Sequence, residues 1–212
     1  MRFVDWFHHY RNKIFAVGFS GLGLSLFLAY YITTWAVFGF DDFLSFGLSF
    51  WNFCVVLIAF TIIFICNLNN DATVYVGILM FIFTMVFSQI LALWTPTVNL
   101  VLSAVSFSPL AIAFYSLEIA LLGAVIVFGV LLYIDIARYR MGRWLPFKRM
   151  RLFAILFAIA LALTLGFEFA FFFVSGASSA EGWWLLFLEL VAIAKVLISI
   201  SVIFTLERLR RD

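Results

Sequence analysis

From Ile14 onward the sequence alternates between long apolar blocks and short polar breaks. Six blocks stand out: Ile14–Phe38, Leu44–Cys66, Thr73–Trp94, Pro109–Ile134, Leu152–Val174 and Trp183–Leu206. Each meets the roughly 20 residues that a helix needs to cross about 30 Å of hydrocarbon. The breaks have turn composition. Gly39–Phe43 holds Asp41 and Asp42, Asn67–Ala72 reads NLNNDA, and Ser175–Gly182 reads SGASSAEG. Connections this short make consecutive helices antiparallel neighbours. The pattern therefore predicts an all-α fold, a polytopic membrane helical bundle with six transmembrane helices.

Three stretches fall outside the blocks. In residues 1–13, Phe3, Trp6, Phe7 and Tyr10 share one helical face, while Arg2, Asp5, His9 and Lys13 lie largely elsewhere. This reads as a short interfacial helix leading into the first span, and it lacks the features of a signal peptide. Thr95–Ser108 is apolar but too short to cross alone. Pro96 is expected to break it from the third span, and Ser108-Pro109 to cap the fourth, which leaves an interfacial or partly re-entrant segment on the outer side. Residues 207–212 form a short tail in which the last span continues as a polar helix. The organisation is thus an amphipathic segment at 1–13, a transmembrane domain at 14–206 and the tail.

Composition agrees with a membrane protein. Hydrophobic residues make up 67% of the 212-residue chain and charged residues 11%, against about 25% charged in soluble domains. Charge adds an orientation. Of the thirteen Lys and Arg residues, Arg2, Arg11 and Lys13 precede the first span. Arg138, Arg140, Arg143, Lys148, Arg149 and Arg151 lie between spans four and five, and Arg208, Arg210 and Arg211 follow the sixth. Six crossings put all three clusters on one side, and the positive-inside rule makes that side the cytoplasm, so both termini are expected there. Trp35, Trp51, Trp94, Trp183 and Trp184 then sit near outer ends, and Trp6 and Trp144 near inner ends, as an aromatic belt at each interface. The expected location is a plasma membrane, of the bacterial inner-membrane type. The basic loop 137–151, ARYRMGRWLPFKRMR, is expected to hold anionic headgroups, each basic residue contributing about 1 kcal/mol near the surface. A cytoplasmic protein partner is the second use for that loop. No nucleic-acid partner is expected.

Small residues recur at every fourth position of span five: Ala154, Ala158, Ala162, Gly166 and Ala170. Such spacing lets helix backbones approach closely in lipid, within the bundle or in a homo-oligomer or larger complex. Gly18, Gly21, Ser25 and Ala29 make a weaker stripe on span one, and Ser116, Ala120 and Ala124 on span four.

Ionisable residues within a span cost roughly 2.5–3.5 kcal/mol each at mid-membrane on insertion scales. Glu118 lies six residues below Ile112, near the outer end of span four, Glu168 six below Val174 and Glu189 six below Trp183, each about 9 Å of helix. Gln89 and Asn52 are read at a similar depth. Glu168 is about 200° around the helix from Gly166 and from Ala170, so it points away from the stripe. Lys195 lies six residues deeper than Glu189 and needs a partner from another helix, water, or a lowered pKa. Together these side chains predict an outward-facing polar pocket for a cation, a proton or a small polar solute. The plainer alternatives are interhelical hydrogen bonding by protonated glutamates, or glutamates reaching the headgroups.

Other chemistry is not expected. Cys54 and Cys66 are twelve residues apart within one span, about 18 Å, and form no CxxC or Cys/His cluster. His8 and His9 are the only histidines. No phosphate loop, nucleophile elbow or HExxH motif occurs. Neither a cofactor, a metal nor an enzymatic activity is expected. Three functional readings follow. They are a transport or channel protein built on the outer carboxylates, a membrane sensor or anchor signalling through the basic loop and tail, and a structural subunit of a larger complex.

Overall fold

The computed structural model describes residues 3–38, 47–69, 71, 73–105, 108–140, 147–174 and 179–209. Side chains are described throughout these segments except at 3–9, 34, 35, 37, 38, 47–52, 140, 168, 171–174 and 179–189. Every element among the described residues is a helix: α1 Phe3–Phe38, α2 Gly47–Asn69, α3 Val74–Ala92, α4 Trp94–Val105, α5 Pro109–Arg140, α6 Phe147–Val174 and α7 Ser179–Leu209. Five stretches are long and apolar enough to cross a membrane: Tyr10–Thr33, Val74–Val105, Pro109–Tyr139, Phe147–Phe167 and Leu190–Leu209. Phe53–Asn69 of α2 is apolar but shorter. The chain therefore has the build of an integral membrane protein.

The long helices close into a ring. α1 packs against α2 and α7, α2 against α3, α3 against α5, α5 against α6, and α6 against α7. Short connections favour antiparallel neighbours, and the last helix returns to the first. Aromatic side chains fill the middle. Phe27 of α1 meets Phe60 of α2 at 5.1 Å between ring centroids, and Phe60 meets Phe81 of α3 at 5.6 Å. Phe81 reaches across the ring to Phe157 of α6 at 6.2 Å. All four are at most 1% exposed. Ile63, Ile78, Met85, Leu132 and Ile198 pack around them. Outward-facing positions such as Phe83, Val127 and Leu163 remain apolar and exposed. α3, α5 and α6 are thus apolar on both their faces, the pattern of helices set in lipid.

Gly23 and Gly129 are two of the glycines at which neighbouring helices pack closely. A Cβ on Gly23 would sit 2.9 Å from Ile198 Cγ1 and 3.1 Å from the Ala194 carbonyl oxygen. A Cβ on Gly129 would sit 2.6 Å from Val86 Cγ2 and 3.0 Å from Phe157 Cε2. These positions carry the tight α1–α7 contact and the α3–α5–α6 junction. The fourfold stripe on α6 behaves differently. Ala154 and Ala158 are buried, whereas Ala162, Gly166 and Ala170 are exposed, and a Cβ on Gly166 meets nothing within 4 Å among the described residues. Four residues turn an α-helix by about 400°. A stripe at this spacing drifts about 40° per step, so it leaves the packed face after two steps.

Several element boundaries differ from the sequence reading. α1 runs unbroken from Phe3 through Phe38, so the amphipathic segment at 1–13 is its first turns and not a separate helix. At Leu93 the backbone stays helical: Leu93 N–H donates to the Gln89 oxygen at 3.1 Å and Thr97 N–H to the Leu93 oxygen at 3.2 Å. Residues 94–105, within the segment expected to be interfacial or partly re-entrant, form a helix packed on α5. Pro96 lacks an N–H, which removes one bond near that junction. The reversal into α5 uses Ser108, whose N–H donates to the Ser103 oxygen at 3.1 Å and whose oxygen accepts from Ile112 at 3.0 Å. Pro109 then opens the helix, as its fixed φ favours. Both ends of the 137–151 loop are helical, because α5 continues to Arg140 and α6 begins at Phe147. Asp41, Asp42 and residues 175–178 of the expected Ser175–Gly182 turn lie outside the described residues, while residues 179–182 of that turn are helical, as the start of α7.

Candidate functional site

The densest polar chemistry among the described residues lies at one end of the bundle, where α1 begins, α2 meets α3, α5 meets α6, and α7 finishes. Arg11, Lys13, Arg138, Lys148, Arg149, Arg151 and Arg208 all belong to these helix ends, and we refer to this as the basic end. Ser201, Thr205 and Arg208 stand at i, i+4 and i+7, on one face of α7. All three are buried. Opposite them is Asn67, which the sequence reading assigned to a turn. It lies instead inside the last turn of α2 and is fully buried.

The bonds join three helices. The Ser201 hydroxyl donates to the Ala16 oxygen of α1 at 2.7 Å. The Ser20 hydroxyl donates to that same oxygen at 2.7 Å. The Asn67 amide donates to Ser201 Oγ at 3.5 Å, and the Thr205 hydroxyl donates to Asn67 Oδ1 at 3.0 Å. Thr205 also reaches back to the Ser201 oxygen at 2.8 Å within its own helix. Arg208 Nη1 donates to the Asn67 main-chain oxygen at 3.0 Å. That oxygen is among the last four carbonyls of α2, which have no partner within the helix. A cation there also offsets the negative end of the helix dipole. Asn12 lies one turn before Ala16 on α1, which the antiparallel pairing puts level with Thr205. It is 5% exposed, and its amide nitrogen has no hydrogen-bond partner among the described residues.

Two ion pairs tie α6 into the same end. Arg149 Nε sits 2.9 Å from Asp135 Oδ2, with the aspartate fully buried and the arginine 45% exposed. Arg149 also lies over the Phe153 ring at 5.3 Å. Arg151 Nη1 sits 2.7 Å from Glu207 Oε1. Beside them Tyr75 packs on Tyr139 at 5.7 Å, and Tyr139 on Phe147 at 5.1 Å. The α2–α3 turn is locked locally. Asp71 Oδ1 accepts from Thr73 N–H at 2.8 Å, and Asp71 N–H donates to the Cys66 oxygen at 2.9 Å. Thr73 holds the exposed Asp71 carboxyl below the usual carboxylate range, first through its backbone N–H and then through its hydroxyl.

The expected outer residues are placed as follows. Glu118 is half-buried on α5, one turn beyond Phe114, whose ring stacks on Phe167 of α6 at 4.6 Å. Glu168 is the next residue on α6, so the backbones carrying these two glutamates are neighbours. Glu189 lies on α7, which packs against α6, and Asn52 lies on α2. The side chains of Glu168, Glu189 and Asn52 are outside the described residues. Gln89 is half-buried near the end of α3, and its backbone oxygen accepts from Leu93. Lys195 is half-buried on α7, and its backbone oxygen accepts from Ser199 at 2.9 Å. Among the described residues there is no group of three or more His, Cys, Asp or Glu placed to hold a metal ion.

The sequence reading missed the basic-end cluster. Asn67 opened an expected turn, Asp135 fell one residue past a span boundary, and Arg208 looked like part of a tail. The available signal was the i, i+4, i+7 spacing of Ser201, Thr205 and Arg208, which continues the packed face of α7 past the last apolar block. No family model matches the chain, and neither a curated protein nor a solved structure matches it.

Proposed function

We propose that this chain is a six-crossing membrane protein with both termini in the cytoplasm, and that it serves as a sensor or anchor module coupling the bundle to its cytoplasmic face. The observation that carries this reading is the Asn67–Ser201–Thr205–Arg208 cluster. It gathers the ends of α1, α2 and α7 into one hydrogen-bonded unit, while ion pairs link α6 to α5 and α7. A shift or tilt of α7 must break or move these bonds, and Arg151–Glu207 would carry the displacement to the basic loop. The aromatic filling of Phe27, Phe60, Phe81 and Phe157 supports transmission through packed side chains, since close-packed interiors pass strain on readily. The reading assigns no catalytic role.

The test is hydrogen exchange in bilayers of short-chain and long-chain phosphatidylcholine. Protection at residues 147–151 and 203–209 is expected to change with bilayer thickness in the wild type and to stop responding in Thr205→Val. Equal protection in both bilayers for the wild type rejects the coupling role.

A second reading is transport at the outer carboxylates. It is supported by the adjacency of Glu118 and Glu168 on α5 and α6, with Glu189 on the next helix. It expects proton or cation flux in dye-loaded vesicles that Glu168→Gln or Glu189→Gln abolishes. Wild-type vesicles no leakier than empty ones reject it. A structural subunit of a larger complex is expected to give neither response.

A further inference from the structure

The ends of α6 and α7 leave a half-open groove of about 320 Å³ beside the polar cluster. Its walls are of two kinds. Leu152, Ile155 and Leu206 line it with hydrocarbon, and Lys148, Arg151 and Glu207 border it, giving mostly their apolar stems to its surface. Two cations against one carboxylate leave the groove net positive. Arg151 is paired with Glu207 at 2.7 Å, yet its side chain is still 51% exposed, and Lys148 is exposed. The first turn of α6 lies at the same place, and the unpaired N–H groups of a helix N-terminus favour an anion.

We infer that this groove is a binding site for one anionic phospholipid of the adjoining leaflet. The phosphate sits at Lys148 and Arg151, and the start of an acyl chain lies along Leu152, Ile155 and Leu206. The argument is complementarity of both charge and polarity. A free anion has no use for the apolar wall, and a neutral lipid has no use for the two cations. The volume is at the small end of ligand sites, as suits the glycerol-phosphate region of a lipid whose chains remain in the bilayer. Glu207 competes with the phosphate for Arg151, so occupancy would loosen the α6–α7 ion pair. The site rests on the crossing topology proposed above and not on the coupling role.

The experiment is native mass spectrometry of the full chain in neutral detergent with added phosphatidylglycerol or phosphatidylcholine. One phosphatidylglycerol is expected to be retained at least fivefold more strongly than phosphatidylcholine. Lys148→Gln is expected to weaken retention about fivefold, the equivalent of about 1 kcal/mol for one basic residue near a surface. Ile155→Trp, which fills the apolar wall and keeps both cations, is expected to abolish retention. Arg138→Gln removes the same charge from the exposed end of α5, outside the groove, and is expected to change nothing. Equal retention of the two lipids overturns the proposal. So does an Arg138→Gln effect as large as that of Lys148→Gln, which would mean diffuse surface charge. Displacement of phosphatidylglycerol by millimolar inorganic phosphate also overturns it, in favour of a free-anion site. Should Ile155→Trp lose its helical circular dichroism, the exposed Lys148→Gln variant decides alone. A failure of the coupling test in phosphatidylcholine bilayers leaves this outcome unaffected, because that test contains no anionic lipid.

Discussion

Arg208, two residues past the last apolar block of α7 and 141 positions from Asn67, donates to the Asn67 main-chain oxygen at 3.0 Å. A side chain in the final turn of one helix thereby completes the backbone of another. The acceptor is a carbonyl, so no substitution at Asn67 removes it. Arg208→Met keeps length and apolar bulk but removes the donor. The expected loss is about 1.5–3 kcal/mol, the range for a hydrogen bond to a charged group, read as a lower midpoint in detergent unfolding. Asn67→Ala is expected to cost stability separately, through the Thr205 and Ser201 bonds to its side chain. An unchanged midpoint in Arg208→Met would show that the bond contributes nothing.

The two kinds of glycine separate cleanly. Gly129→Ala places a methyl group against Val86 and Phe157, and overpacking of this sort costs about 1–3 kcal/mol. Gly166→Leu projects into open space and is expected to change monomer stability by less than about 0.5 kcal/mol. If the exposed part of the α6 stripe meets a second copy of the chain, Gly166→Leu should lower the oligomer mass in light scattering and leave the helical signal intact. Equal destabilisation by the two substitutions would contradict the packing described for α5.

Asp135 is fully buried beside Arg149. Losing one partner of a buried pair costs about 3–5 kcal/mol, because a charge is left uncompensated. Arg149 is nearly half exposed and water screens it, so about 1–3 kcal/mol is expected for Arg149→Ala. Asp135→Asn in the Arg149→Ala background removes the stranded charge and should recover part of the loss. A double variant no more stable than Arg149→Ala would mean that the carboxylate is not penalised there.

The α2–α3 turn should be sensitive to acid. Thr73 lowers the Asp71 pKa in the folded chain. A depressed carboxylate stabilises the fold above its unfolded pKa, near 4, and that contribution is lost as pH falls through the lower folded value. Protection of the Thr73 amide, corrected for intrinsic exchange, is therefore expected to fall in acid below pH 4. Asp71→Asn should remove the pH dependence. A flat wild-type profile would show that the carboxylate does not hold the turn.

Orientation is checked by labelling. In a background lacking Cys54 and Cys66, Asp71→Cys is expected to react with an impermeant maleimide only from the cytoplasm, and Ser178→Cys only from outside. Reaction of both from the same side would end the six-crossing topology.

The all-helical build and the apolar spans were legible in the sequence because lipid demands them locally. Every backbone N–H and C=O in hydrocarbon must be paired within its own segment, so twenty apolar residues specify a helix with no knowledge of neighbours. The Ser108-Pro109 start of α5 was legible for a similar reason, since proline's φ is fixed by its own ring. Which faces meet was not legible. In lipid the outward and inward sides of a helix are equally apolar, so Phe83 and Phe81 read alike in the sequence although one is exposed and the other buried. Only the closure of α7 onto α1 made Gly23, and not Gly18, the close contact. Only the assembled helix ends brought Asn67, Ser201, Thr205 and Arg208 together, because hydrogen bonds over more than 130 positions leave no periodicity in the chain. Sequence determined what each segment is, and the tertiary structure decided which polar groups share one buried end.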